Sequence, residues 1–327
     1  VETTDPPAVY HHVVSGLHLV RAQIADAIVV HAEASIHAEL IRLLARPGYA
    51  LHPQSRCRAG VFALEVHCAA RRSFDKTALL VAAAVELQRQ SGFLFDELSG
   101  RPAGGLDTAD LALAVALLVA ATGTAAEASG AAPDPAATLR HFCDATGGAC
   151  AEQVLEGRLQ RSGAATLEDP LRLTRLRSGT LGRFAAGFAA RAAGAEPTGA
   201  ALFERLGFHL FTFAHLMHDH PDAGRPAPLR GRDEASQHTD GARQGDASPS
   251  GAKSPDGALS PQLLSPEHDS PGGSSFAEIL ALAYLGRAHA DLQLLAARGY
   301  AVEGLGRFLS RVESDGRSTA GLLGPSQ

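Results

Sequence analysis

Two stretches of this chain are built alike, and their pairing constrains the fold more than any other feature. Residues 84–100, AVELQRQSGFLFDELSG, open as an apolar helix and close on Asp96 and Glu97. Residues 206–222, LGFHLFTFAHLMHDHPD, repeat that plan and close on Asp219 and Asp222. An acid at the C-terminal end of a helix sits at the negative pole of the helix dipole, so something positive should compensate it. Two buried helices that each deliver carboxylates at one end imply half-sites facing each other across a helical bundle. Such oxygen donors suit a hard cation, and Mg²⁺ bridged to a diphosphate is the natural guest.

The composition agrees with helices. The chain is 45% hydrophobic and only 5% aromatic, without Trp, and few β-branched residues alternate with period two, which points to an all-α fold. At 327 residues it is long enough to bury a full core. The formal charge of −6 argues against non-specific nucleic-acid binding, and Lys76 and Lys253 are the only lysines. Cys57, Cys68, Cys143 and Cys150 show no CxxC spacing, so free thiols in a reducing compartment are expected. The longest apolar run, 111–121, is shorter than the ~20 residues that a membrane span needs. A cytoplasmic protein without a span is the expectation; an organellar location stays open, because a chain opening on Val1 leaves room for a removed leader.

Residues 1–8 form a polar lead-in, expected to be disordered. From 9 to 44 apolar residues recur at three and four (Val20, Ile24, Ile28; Leu40, Leu43, Leu44), giving one long or broken amphipathic helix that Pro47 and Gly48 stop. The segment SRCRAGVFALEVHCAAR starts a helix with Arg56 and Arg58 in its first turn, and Ser73 is placed to cap the helix leading to the first acids. Asp107 or Thr108 opens an Ala/Leu helix to about Ala121, followed by a small-residue linker, 122–133. Asp134–Pro135 is an N-cap followed by Pro at the first helical position, and its helix passes Gln153 and Glu156 to about Leu159. Asp169–Pro170 repeats the signal and opens a helix carrying Arg175, Arg177 and Ser178. Glu196–Pro197 begins the second acid-bearing helix. Residues 224–274 turn abruptly to Pro, Gly, Ser and Asp with recurring Ser–Pro, a composition that cannot bury enough apolar area to order itself. A capping box, Ser275 to Glu278, then opens a helix to about Ala297, and a last helix spans 302–312 before a flexible tail, 314–327. The core, 9–223, is thus one domain completed by 275–313.

Residues 84–100 resemble the first aspartate-rich helix of the trans-isoprenyl diphosphate synthases, close to AVELIHxASLIHDDxxD. Ala84, Val85, Glu86, Leu87 and Leu94 match, Asp96 and Glu97 fall on the first two acids, and Gly100 stands at the third. Residues 206–222 resemble the second motif, LGxxxGxAFQxxDDxxD, with His215 on the Gln, His218 on the first acid, and Asp219 and Asp222 on the others. In order and spacing, Arg56 and Arg58 fall on the arginines of GGKRxRP, Gln153 and Glu156 on GQxxD, and Arg177-Ser178-Gly179 on KTG. The resemblance covers about 22–223 and implies an isoprenoid-synthase-like helical bundle with a disordered insert before the last helices. It implies Mg²⁺ held by Asp96, Asp219 and Asp222, with Glu97 beside them in the catalytic set. It also implies diphosphates clamped by Arg56, Arg58, Arg177 and Gln153.

The activity so implied is prenyl transfer from an allylic diphosphate to isopentenyl diphosphate, in a homodimer or a heterodimer with an active synthase. Gly100 and His218 each remove an acid, Arg101 is all that remains of a paired arginine, and the insert replaces a lysine-bearing loop. These departures fit a catalytically silent regulatory subunit, or a class I terpene synthase, as alternatives to the enzyme. A further reading takes His218-Asp-His-Pro-Asp222 as a metal motif of the metallo-β-lactamase type. That motif needs a strand before it and a final His where Ala223 stands, and the helical periodicity argues against it. His67 and His141 are read as packed or surface residues.

Overall fold

The computed structural model describes residues 7–53, 55–99, 108–162, 178–218 and 276–321, and every regular element among them is a helix. In chain order these are α1 (Pro7–His31), a short 3₁₀ turn (Ala34–Ile36), α2 (His37–Leu44), α3 (Arg58–Arg71), α4 (Lys76–Ser99) and α5 (Thr108–Ser129). There follow α6 (Pro135–Ser162), α7 (Thr180–Ala192), α8 (Pro197–His218), α9 (Phe276–Ala297) and α10 (Glu303–Gly321). The expected all-α bundle is what the chain forms. Residues 219–275, which contain the expected insert, lie outside the described residues, as do the segments at 1–6, 100–107, 163–177 and 322–327.

Helices α3, α4, α7 and α8 make the centre. Helix α4 packs on α1, α3, α5 and α7, while α8 packs on α7, α9 and α10. The central helices are apolar almost all round: α3 buries Ala59 through Leu64, and α7 buries Phe184 through Ala190. Small residues let backbones approach closely. A Cβ on Gly182 of α7 or Gly207 of α8 would collide with the carbonyl oxygen of the other. Fully buried Glu86 joins α4 to α3, accepting the Gly60 N–H at 3.1 Å. On the far side, buried Asp291 of α9 receives the Arg205 guanidinium and lies 2.8 Å from His209 Nδ1, both on α8.

Several helix ends follow the sequence signals. Asp134 Oδ1 accepts the Ala137 N–H at 2.9 Å ahead of Pro135, and Gly48 takes the left-handed turn at φ 90° that ends the first hairpin of helices. Others differ. Asp75, rather than Ser73, caps α4, accepting the Ala78 N–H at 3.0 Å. Helix α5 runs through the expected linker to Ser129, the Ala-rich segment favouring helix, and Thr122, Thr124 and Ser129 satisfy their hydroxyls on carbonyls four residues earlier. The last helix continues past Val312 to Gly321. By length and composition α5, with a mean hydropathy of 1.8, is apolar enough to cross a membrane. Its buried face, including Ala114, Leu117 and Ala121, packs within the bundle.

All four cysteines are free. His67 of α3 is fully buried and neither ring nitrogen has a hydrogen-bond partner. Burial pushes its pKa from 6.5 down to about 4. Between those values the unfolded chain binds a proton that the folded chain refuses. Stability therefore falls as the pH drops below about 6.5 and levels off below about 4. At pH 5 the loss attributable to His67 is about 2 kcal/mol relative to pH 7.5. Urea unfolding of wild type and His67→Leu at both pH values checks this: the variant should lose that much less on acidification, and equal losses would rule the effect out.

Candidate functional site

The C-terminal turns of α4 present Asp96, half-buried, and Glu97, exposed. They do not have the same surroundings. Tyr49, from the loop after α2, donates its hydroxyl to Glu97 Oε2 at 2.8 Å, with its ring edge-on to Phe93 at 5.3 Å. Burial and then the Glu97 bond raise the Tyr49 pKa well above the usual phenol range, so the hydroxyl stays a donor. Glu97 is thereby fixed by the protein, one residue around the helix from Asp96. Tyr49 has no signature in the sequence, because its position depends on how the α2–α3 loop folds back over α4.

At the start of α3, Cys57 adopts a left-handed conformation (φ 41°, ψ 48°), which is uncommon outside glycine. Its side chain is buried, with Sγ 3.3 Å from the Ala50 carbonyl, and burial pushes the thiol up to about 11. Such backbone outliers persist where the surrounding structure over-determines them, often at binding sites. Here the left-handed residue lies between two arginines that converge on one acid. Arg56 Nη1 and Arg58 Nη2 both donate to Asp315 Oδ2 of α10, the latter at 3.1 Å. Burial lowers the Arg58 pKa, Asp315 opposes that shift, and Arg56 adds to it.

Below Arg58 lies a cavity of about 210 Å³. Leu210, Phe211 and Ala214 of α8 and Phe308 and Val312 of α10 give it apolar walls. Its polar lining is Arg58, Ser178 and His215. Arg58, expected on the diphosphate clamp, and His215, expected on the second acid-bearing helix, thus line one cavity, reached from α3 and α8, while Arg56 stands beside Arg58 on Asp315. Sequence reasoning missed Asp315, because the apolar repeat of the last helix (Leu305, Leu309, Val312) is continued only by Gly316, which carries no hydrophobic signal.

Asp219, Asp222, Arg177 and Gly100 lie outside the described residues, and the side chains of Gln153, Glu156 and His218 are likewise outside them. Among the described residues no group of three or more His, Cys, Asp and Glu is placed to hold a metal. The chemistry of the first half-site nonetheless suits a hard divalent cation. Asp96 and Glu97 offer oxygen alone, at a helix C-terminus where a cation offsets the dipole. The strand required by the metallo-β-lactamase reading is absent, since helix α8 runs up to His218.

No known protein-family profile matches this chain, and no curated protein matches it. Solved structures do. Geranylgeranyl pyrophosphate synthase from Corynebacterium glutamicum, complexed with calcium and isoprenyl diphosphate, is similar at a TM-score of 0.58 and 15% identity, covering 99% of this chain and 100% of that one. Decaprenyl diphosphate synthase from Rhodobacter capsulatus gives 0.58 and 13%, over 95% and 98%. Heptaprenyl diphosphate synthase from Staphylococcus aureus gives 0.51 and 13%, over 63% of this chain and 64% of that one. The chain has the fold of the trans-prenyltransferases.

Proposed function

We propose that this chain is a divergent isoprenyl diphosphate synthase-like enzyme that transfers an allylic prenyl group to isopentenyl diphosphate in isoprenoid biosynthesis. The observation that carries this reading is Arg58, which lines an apolar cavity walled by the second acid-bearing helix and shares one anion with Arg56 beside it. Paired arginines match the planar oxygens of a diphosphate, and the apolar walls suit the hydrocarbon attached to it.

In this reading Asp96, with Asp219 and Asp222, would hold Mg²⁺, which when bound stabilises the charge building on the departing diphosphate. Glu97, tied to Tyr49, stands beside that set and steadies the turn that carries Asp96. Arg56, Arg58, Arg177 and Gln153 would bind the diphosphate oxygens and fix the substrate's direction. Phe211, Phe308 and Val312 keep water from the allylic cation once the diphosphate leaves. A dimer, of two copies or with an active synthase, belongs to this reading.

The second reading, a catalytically silent subunit, has one structural observation in its favour: Asp315 already engages both arginines. Labelled isopentenyl diphosphate with allylic diphosphates of increasing length and Mg²⁺ separates the two. The purified chain should form extractable product, and Asp96→Ala should reduce its rate by about a hundredfold, the scale of one lost charge-stabilising group. Silence with every allylic partner would sink the enzyme, and a changed product length when the chain is mixed with an active synthase would establish the subunit.

A further inference from the structure

The arginine pair already has an occupant. Arg56 and Arg58 meet on a single oxygen, Asp315 Oδ2, supplied by a helix more than two hundred residues further along the chain. Two guanidiniums held this close repel each other unless an anion lies between them, and Arg58 is the less exposed of the two. One carboxylate oxygen shared by two guanidiniums is the arrangement that a phosphate oxygen would make.

Asp315 is positioned by packing. The neighbouring Gly316 is buried, and a Cβ there would lie 3.2 Å from Met217 Cβ, so α10 presses onto the end of α8 at this point. Three residues earlier, Val312 is buried in the core and lines the cavity, as does Phe308 one turn before it. Helix α10 therefore supplies both a wall of the cavity and the anion held by Arg58, one of its lining residues. The contact seats a single negative charge where the proposed substrate would bring several.

We infer that Asp315 is a built-in occupant of the diphosphate clamp, a carboxylate that the substrate must displace, and so the residue that sets the affinity of the site. The inference rests on the proposed reading of Arg56 and Arg58 as diphosphate ligands. Displacement sends Asp315 off the arginines, because its charge and that of the diphosphate repel. Each binding event then costs the release of the internal pair, and the apparent affinity is reduced by the fraction of molecules in which the clamp is free. Asp315 at 24% side-chain exposure, rather than fully buried, makes a pair strong enough to be occupied and weak enough to open.

The test is calorimetric titration of inorganic diphosphate, without Mg²⁺, into the full chain. Asp315→Asn should bind about tenfold more tightly than wild type, as expected if the internal pair is closed in about nine molecules of ten. Asp315→Ser should shift affinity in the same direction, and circular dichroism establishes that each variant keeps its helices. Arg56→Ala/Arg58→Ala should abolish binding in both backgrounds. If that double variant abolishes binding but Asp315→Asn binds no more tightly than wild type, Asp315 is not an occupant, while the arginine clamp stands. Binding that survives loss of both arginines, or no binding to any form, overturns the inference together with the reading beneath it.

Discussion

Replacing Glu86 by Ala should cost the folded chain about 3–5 kcal/mol, the scale of removing one partner from a buried ion pair. Glu86 is completely buried on α4 and both of its oxygens accept hydrogen bonds. Oε2 accepts the Gly60 N–H, one of the first amides of α3, which has no partner within its own helix. Oε1 accepts from Arg89 Nη2 at 2.6 Å and Nε at 2.8 Å, and from Gln90 Nε2 at 3.0 Å. Burial alone would lower the Arg89 pKa; the charge of Glu86 more than reverses it. Without Glu86 a guanidinium, a backbone amide and a buried carboxamide lose their acceptor together. Helix α3 is packed closely on α4 at this point, since a Cβ on Gly60 would lie 2.8 Å from the Ala82 carbonyl oxygen. Glu86→Gln should fall between, keeping acceptor geometry for Gly60 while losing the charge that holds Arg89. Guanidinium unfolding followed by far-UV circular dichroism measures both, and a loss below about 1 kcal/mol for the Ala variant would show the network to be dispensable.

That network also marks how far the sequence could be read. Glu86 was legible as part of an apolar helix that ends in acids, since its neighbours Ala84, Val85 and Leu87 carry the pattern. Its partners were not, because Gly60 comes from another helix and a buried acid announces its acceptor role only once the helices cross. Local chemistry was the reliable guide. Asp134–Pro135 and Pro47–Gly48 set helix boundaries through capping and backbone freedom that belong to two residues at a time. Small-residue composition misled along α5, where the Ala-rich residues after Ala121 continue the helix and the hydroxyls among them bond back one turn. The same holds at the site. Arg56 and Arg58 were visible as residue types in the right order, but the left-handed backbone at Cys57 between them was not, and their anion lies on the last helix. Positive φ at a cysteine has no sequence signature, and a pairing across 259 residues has no local one.

The other large effect lies where α7 crosses α8. Gly182→Ala should destabilise the chain by about 3 kcal/mol, at the upper end of overpacking costs, with Gly207→Ala similar. The obstacle at each position is backbone: a Cβ on Gly182 would run into the Gly207 carbonyl and lie 2.8 Å from Phe211 Cβ, while one on Gly207 would meet the Gly182 carbonyl, with Ala186 Cβ at 3.1 Å. A carbonyl within a helix cannot swing away as a side chain does, so relief requires the two helices to part. Alanine's better helix propensity, about 1 kcal/mol over glycine, works against this cost without matching it. Parting the helices also shifts Leu210, Phe211, Ala214 and His215, the α8 wall of the cavity, so these variants should weaken diphosphate binding without touching an arginine. The double variant should cost less than the sum of the singles, because either methyl already opens the crossing that the other needs. Thermal unfolding of the three variants decides it. A higher melting temperature for either single variant would mean that propensity outweighs the crossing, and that the α7–α8 contact is looser than its geometry requires.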